Sequence, residues 1–511
     1  IEASSDSHLW SQSYDRKLEN IFAVQDEISA AIVGALREHL GLQVEAVPSA
    51  TATRNTEAHD AYLRGRHLVV QRTRATIDGA VREFDKAIAL DPDYALAHAE
   101  LAMATILLAA YGDLLMSEAV TRAARHAEQA MTLDRDLAEA HTATGSVLWI
   151  RGDNDEALNY FENAIQINPN YSDTYIWMGI LLNELGRYLE AFAARETNVR
   201  LNPLSIPATL NYARALIVRN RFAEAEQQLD NLASIHPFNF AGTRGQLASV
   251  GGKWANGVLG SLDVFRIDPD RSRPWNRLSW QFASIGLAKE ALTITEHPPL
   301  STLRWLGKHE DAVTTAQTLV TEDPIILENR RDLGLALAGA GDYGHARPIL
   351  EEMWQRSSGR VTVTGLFQTA HAAALITIRR DADEEVDVAE LVAAIRDNVR
   401  RYREAGITTP IHIYNVNYDE GLAAFLAGER EKGLTLIARG AEDGTFILQY
   451  EAYLQELYDD PDFAPIRAMQ EVRQTRERQR FLDIVCTDNP YEAVWKPAEG
   501  TCERHAASSG T

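Results

Sequence analysis

The chain has 511 residues, 45% of them hydrophobic, and 50 Lys+Arg against 73 Asp+Glu give a formal net charge of −23 at pH 7. That acidity disfavours DNA, RNA and anionic lipid surfaces as partners. No run reaches the ~18 consecutive apolar residues of a membrane-spanning helix, so membrane insertion by this segment is not expected.

The chain opens on Ile1 with neither methionine nor secretory signal, so an N-terminally incomplete chain is expected, with any anchor or output domain upstream. Asn20–Gly41 reads as one amphipathic helix, with Ile21, Phe22, Ile28, Ile32, Leu36 and Leu40 on one face and Gly41 ending it. Pro48–Asn55 has the composition of a linker. Helical pairs follow from about Glu57. The first carries Gly65, Ala80, Phe84, Ala87 and Pro92 in its key slots. The second keeps Ala102, Ala123 and Ala130 only if its turn, around Tyr111–Ser117, is expanded by nine residues. In that pair Arg135 stands where proline is expected.

The next three units are regular. Pro169, Pro203 and Pro237 stand 34 residues apart, and Gly145, Gly179 and Ala213 each lie twelve before an alanine, Ala157, Ala191 and Ala225. Small residues at both places let two antiparallel helices approach closely, and the proline stops the second helix. Beyond Pro237 the template decays, returning with Gly334 and Ala346, and a longer pair between Gly359 and Ile407 is interrupted by the acidic turn Asp381–Asp387. A further unit holds Gly421 and Gly433, and helices run from Ala452 to about Ile484. The last segment, CTDNPYEAVWKPAEGTC, reads as a compact loop between Cys486 and Cys502, with a frayed tail from Ala506. Pairing of the only two cysteines is the preferred reading, worth roughly 3 kcal/mol in the chain-entropy model. Two free thiols, or a zinc site completed by His505 but lacking paired CxxC spacing, are the competing ones.

The 34-residue template resembles the tetratricopeptide repeat (TPR), which implies an all-α, right-handed α-solenoid of about ten helical hairpins. The leader is more specific. Leu9-Trp10, Tyr14-Asp15-Arg16, Ile21-Phe22 and Gln25-Asp26-Glu27-Ile28 resemble the end of the TolB/FlgO-like domain that precedes TPR arrays in bacterial signalling proteins. The expected organisation is a remnant of that α/β domain (1–47), a linker (48–56), the TPR array (57–357), degenerate hairpins (358–484), and the cysteine loop and tail (485–511). Such architectures carry a CadC/ToxR-type winged helix or a class III adenylate/guanylate cyclase upstream, commonly across a membrane span, and no residue of either lies in this chain. The resemblance implies a periplasmic or extracytoplasmic location, with a cytoplasmic one as the alternative.

No phosphate-binding, metalloprotease or nucleophile-elbow motif is present, and no cofactor is expected. Asp381–Asp387 lacks both the glycine and the glutamate of a calcium loop, with Val386 and Val392 in those places. Asp153-Asn154-Asp155 offers an N-cap to the following helix. In TPR arrays the first helices line the concave face. Carried over by register, this points Thr142, Ser146, Trp149, Ile176, Ile180, Asn183, Leu210, Arg214, Ile217, Asn239, Gln246, Arg273, Asn276 and Trp280 into the groove. Of these, Trp149, Ile180, Asn183, Arg214, Gln246, Arg273, Asn276 and Trp280 are the candidate binding residues. Aromatic anchors and amides suit an extended peptide or partner helix. The competing reading makes the tryptophans core spacers and fills the groove with the chain itself. The functional expectation is a non-catalytic interaction or sensory module of a membrane-anchored transcriptional regulator. The alternatives are the regulatory region of a cyclase and a free-standing scaffold. Homodimerisation through a terminal repeat is a further option, unless the Asn20–Gly41 helix and the C-terminal helices cap the array.

Overall fold

The computed structural model describes residues 53–112, 114–233, 241–249, 252–267, 273–362, 364–382, 385–408, 415–445 and 451–509, and the single position 31. The leader resemblance, the Asn20–Gly41 helix and Asn239 lie outside the described residues. Among those described there is no strand, and the chain is an α-solenoid of antiparallel helical hairpins. The first five are α1 (Thr56–Val70) with α2 (Arg74–Leu90), α3 (Ala95–Tyr111) with α4 (Met116–Leu133), α5 (Ala138–Arg151) with α6 (Asn154–Ile167), α7 (Ser172–Glu184) with α8 (Tyr188–Leu201), and α9 (Ile206–Ile217) with α10 (Phe222–Ala233). The middle of the chain pairs α11 (Ala241–Ala248) with α12 (Trp254–Ile267), α13 (Arg273–Ser284) with α14 (Ala288–Thr293), and α15 (Leu300–Trp305) with α16 (His309–Glu322). Then come α17 (Leu327–Gly339) with α18 (Tyr343–Arg356), α19 (Thr369–Asp381) with α20 (Glu385–Glu404), and α21 (Val416–Leu426) with α22 (Arg430–Glu442). Short turns at Ala452–Leu454 and Pro461–Phe463 flank α23 (Gln455–Asp459), and α24 (Ala464–Thr487) and α25 (Thr501–Ser509) close the chain.

Local chemistry explains the repeat. A Cβ on Gly145 would sit 2.8 Å from the ring of Phe161, which is 0% exposed, and 3.1 Å from the Ala157 carbonyl. Gly65 meets Phe84 in the same way, so the glycine is what lets the two helices of a hairpin close on an aromatic core. Between hairpins, Asp91 and Asn168 side chains accept the backbone N–H two residues on, at 3.2 and 3.0 Å. Asp134 does the same at 3.0 Å although Arg135 replaces the proline, so the Asx turn shapes this corner without it.

Several sequence expectations are corrected. Most of the nine extra residues of the second hairpin lengthen its helices, which run to Tyr111 and resume at Met116. Both ends of the acidic run are likewise helical, because α19 ends on Asp381 and α20 begins at Glu385. Asp153 stands at the N-cap of α6, but its side chain makes no capping bond. Cys486 lies in the last turn of α24 and Cys502 in α25, so the bond between them, with Cα atoms 5.4 Å apart, clips two helices rather than closing a free loop. The segment expected as a frayed tail is helical to Ser509.

The array curls until distant hairpins meet. Ser117 at the start of α4 donates its N–H to both carboxylate oxygens of Asp323, at 3.1 and 3.2 Å. The Tyr188 hydroxyl donates to Asn398 at 2.7 Å, and its ring lies 4.8 Å from that of Tyr402. Arg401 donates to the Gly186 and Val361 carbonyls at 3.3 and 2.9 Å, and Thr408 donates its N–H to the Val218 carbonyl at 3.0 Å. The C-terminal helix α24 packs on the last hairpin, where Arg473 donates to the Glu442 carbonyl at 2.8 Å and Ile466 joins the core of Ile437, and it also reaches back to the middle of the array. Glu477 of α24 accepts the Ala255 N–H at 3.1 Å, and Trp495 stacks on Phe282 at 5.0 Å.

Asp419, 3% exposed in the first turn of α21, has its carboxyl pushed up to about 7 by burial, against a hydrogen bond from Thr369. The folded state therefore keeps a proton that the unfolded chain, with a pKa near ~3.9, has already lost. Stability from this group is present below about pH 4 and disappears as pH rises to about 7. Asp419→Asn, which can still accept from Thr369, is expected to raise stability at pH 8 by on the order of 2 kcal/mol and to change nothing at pH 4. Urea unfolding at the two pH values measures this, and equal effects at both would refute it.

Candidate functional site

The first helices of the early hairpins bring a polar cluster together, with Tyr62, Tyr94 and Glu100 buried and His59 and Arg66 half-buried at its edge. Tyr62 and Arg66 are four apart on α1 and therefore share a face. The Arg66 guanidinium donates to Glu100 of α3 at 2.9 Å and to the Tyr62 hydroxyl at 3.3 Å. The Tyr94 ring lies 5.2 Å from that of Tyr62, and its hydroxyl is 3.2 Å from His59 Nδ1. Glu139 of α5 and Asp173 of α7 occupy the same repeat position on neighbouring first helices and act electrostatically on Arg66 and Glu100. Burial pushes the Glu100 carboxyl up to about 7, with Arg66 opposing and Asp173 and Glu139 adding to the push. Glu100 in turn holds Arg66 firmly protonated.

This cluster was missed in the sequence because its first two hairpins depart from the regular spacing. A signal existed, however. Tyr62 and Arg66 flank Gly65 as Thr142 and Ser146 flank Gly145, so the same register reaches them, although it does not separate them from Thr142 and Ser146, which are buried between helices.

The sequence-derived candidates are dispersed. Trp149 donates its indole N–H to Glu184 at 2.6 Å and packs 5.9 Å from Trp177, while burial pushes the Glu184 carboxyl up to about 7 against that hydrogen bond. Asn183 donates to Thr364 at 2.9 Å, across to the loop before α19. Around this seam lies a cleft of about 330 Å³ lined by Asp153, Glu156, Glu184, Arg356, Arg360 and Thr362 among others. Ile180 is half-buried against the first core, and Arg214, Gln246 and Trp280 are half-buried in later hairpins. Asn276 is exposed, and Arg273 opens α13. Thr142 and Ser146 are not groove residues, being 0% exposed between helices, with Thr142 bonded to Thr174 at 2.7 Å.

In the C-terminal half the chain covers its own first helices. Tyr453, Leu454, Leu457, Tyr458 and Phe463 join one core with residues of α17 and α19, and Thr377 of α19 donates to the Tyr453 carbonyl at 2.9 Å. Arg304 of α15 donates to Glu451 at 3.0 Å and to the Tyr453 hydroxyl at 3.3 Å. Among the described residues no group of three or more His, Cys, Asp or Glu could hold a metal ion.

The tetratricopeptide repeat family model matches residues 148–194, from the end of α5 into α8. A stretch of 103 residues is 37% identical to a protein of Rhizobium meliloti (strain 1021) named putative adenylate cyclase 3, covering 20% of this chain and 18% of that one. Over 126 residues the chain is 27% identical to the peroxisomal targeting signal receptor of Saccharomyces cerevisiae, covering 24% of this chain and 20% of the receptor. The chain thus spans about a fifth of the length of these curated relatives. Among solved structures, a thermophilic TPR protein of Thermus thermophilus is 18% identical, covering 38% of this chain and 97% of that one, with a TM-score of 0.31.

Proposed function

We propose that this chain is the non-catalytic protein-interaction region of a bacterial signalling protein, taking a peptide or protein segment along the first helices of its early hairpins. The observation that carries the reading is the polar and aromatic cluster in which the half-buried Arg66 meets the buried Glu100 and Tyr62. Repeat arrays use such inner surfaces to hold extended partners. The signalling context is that of a membrane-anchored regulator with the array outside the cytoplasm, a location that the Cys486–Cys502 bond suits. A second reading, a regulatory region attached to a nucleotide cyclase, is favoured by the 37% identity over 103 residues to the protein named putative adenylate cyclase 3.

A photo-crosslinking residue placed at Leu96, on the first helix of the second hairpin, is expected to capture protein partners in the native host. The same residue at the exposed Glu162 of α6 is expected to capture none. Equal labelling from both positions would remove the inner-surface reading. Cyclic-nucleotide formation by the full gene product would favour the second reading over the first.

A further inference from the structure

We propose that the chain binds a doubly charged phosphate oxyanion between Arg195 and Arg219. Tyr188, Phe192 and Arg195 stand at positions i, i+4 and i+7 of α8 and therefore share one face. Two arginines from the turn between α9 and α10 fold onto that face. The Arg219 guanidinium donates to the Tyr188 carbonyl at 3.1 Å, and its Cζ stands 4.2 Å from the centre of the Phe192 ring. The Arg221 Cζ lies 5.5 Å from the same ring centre. Arg195 follows Phe192 by about one helical turn and donates to the Gly179 carbonyl of α7 at 3.3 Å. Arg219 also donates to the Ala215 carbonyl at 3.0 Å.

Three guanidiniums gathered at one helix face call for counter-charge, and the chain provides it to one of them. Arg221 makes a bidentate pair with Glu224, both bonds being 2.7 Å. Among the described residues no carboxylate pairs with Arg195 or Arg219, whose acceptors are backbone carbonyls alone. Glu196, one turn of α8 from Phe192, accepts instead from the Tyr212 hydroxyl at 3.3 Å. In a chain of net charge −23, two half-buried arginines left without a carboxylate mark a place for an anion from outside. Burial pulls both guanidiniums down to about 10, with Arg195 and Arg221 adding to the effect on Arg219, so at neutral pH both are charged and repel. A phosphate dianion cancels that repulsion and takes charge-assisted bonds from the N–H groups that the carbonyls leave over. A carboxylate carries a single charge and neutralises one guanidinium only. The site adjoins the contact between early and late hairpins, because the Tyr188 that Arg219 holds packs its ring 4.8 Å from that of Tyr402.

The test is isothermal titration of the full chain with inorganic phosphate, O-phosphoserine and acetate, at neutral pH and constant ionic strength. Phosphate is expected to bind, and acetate at least ~10-fold more weakly. O-phosphoserine separates the two sources of the ligand. Its binding alongside phosphate points to a phosphoryl group carried on a larger molecule, and its exclusion points to the free ion. Arg195→Gln, which can still donate to the Gly179 carbonyl, should weaken phosphate at least ~10-fold. It should not lower the melting temperature in phosphate-free buffer, since it relieves a repulsion. Arg200→Gln, which removes the same charge from an exposed position on α8, should change binding less than ~2-fold. Arg219→Gln serves if Arg195→Gln unfolds, and should weaken phosphate as much. Acetate binding as tightly as phosphate, or equal losses from Arg195→Gln and Arg200→Gln, would overturn the inference in favour of diffuse attraction. No binding of phosphate or O-phosphoserine at millimolar concentration would overturn it outright and leave the protein-binding reading untouched.

Discussion

Replacing Arg304 with methionine is expected to destabilise the C-terminal half by about 3–5 kcal/mol, because it strands the Glu451 carboxylate in the interior. Glu451 is 0% exposed, and the Arg304 side chain beside it is only 13% exposed. One Glu451 oxygen accepts from Arg304 at 3.0 Å, while the other has no partner and lies against Gly339, where a Cβ would clash with it. Removing the arginine therefore leaves a buried charge with nothing to offset it. Arg304→Met combined with Glu451→Gln should recover most of the loss, since a neutral pair has no such charge to desolvate. The measurement is hydrogen exchange of α15, α17 and the Ala452–Leu454 turn in a urea series. A loss below ~1 kcal/mol in the single variant, or no recovery in the double, would show that the pair is not what ties the strap to the array.

The second large effect is expected where the solenoid touches itself. Tyr188 and Tyr402 are 3% and 2% exposed, and they meet across more than two hundred residues of chain. Truncating a large buried aromatic costs about 3–5 kcal/mol. Each hairpin of a solenoid draws its stability from itself and its neighbours, so that loss falls on the seam and not on the helices. Tyr188→Ala/Tyr402→Ala should thus raise the radius of gyration in small-angle scattering while helix content by circular dichroism stays constant. Phe161→Ala, which empties the core of one hairpin, should do the reverse, losing helix and gaining little in dimension. Unchanged scattering from the tyrosine pair would mean that Arg401 and the Thr408–Val218 contact hold the seam without it.

How much of this was legible in advance depends on the range of the contact. The Gly145–Ala157 spacing and its repeats located the hairpins, and even the stunted helices α14 and α15 fell where the template weakened. The candidate site was legible only in part. The register that located Trp149 and Asn183 extends to Tyr62 and Arg66, but nothing in the spacing shows that Glu100 sits beside Arg66, or that Asn183 is consumed by Thr364.

The sequence by itself determined the helical hairpins, their small-residue interfaces and the acidic character of the chain. Each of these is decided by residues within one repeat or its neighbour, where periodic patterning and turn chemistry act directly. Only the tertiary structure decided three further features. The early and late hairpins close on each other, the chain's own strap from Glu451 covers the first helices of the C-terminal half, and α24 returns to the middle of the array. Those contacts join single residues some 150 to 220 positions apart with no period to mark them. They form because curvature accumulated over many small interhelix rotations brings their surfaces together, a sum that no local pattern encodes.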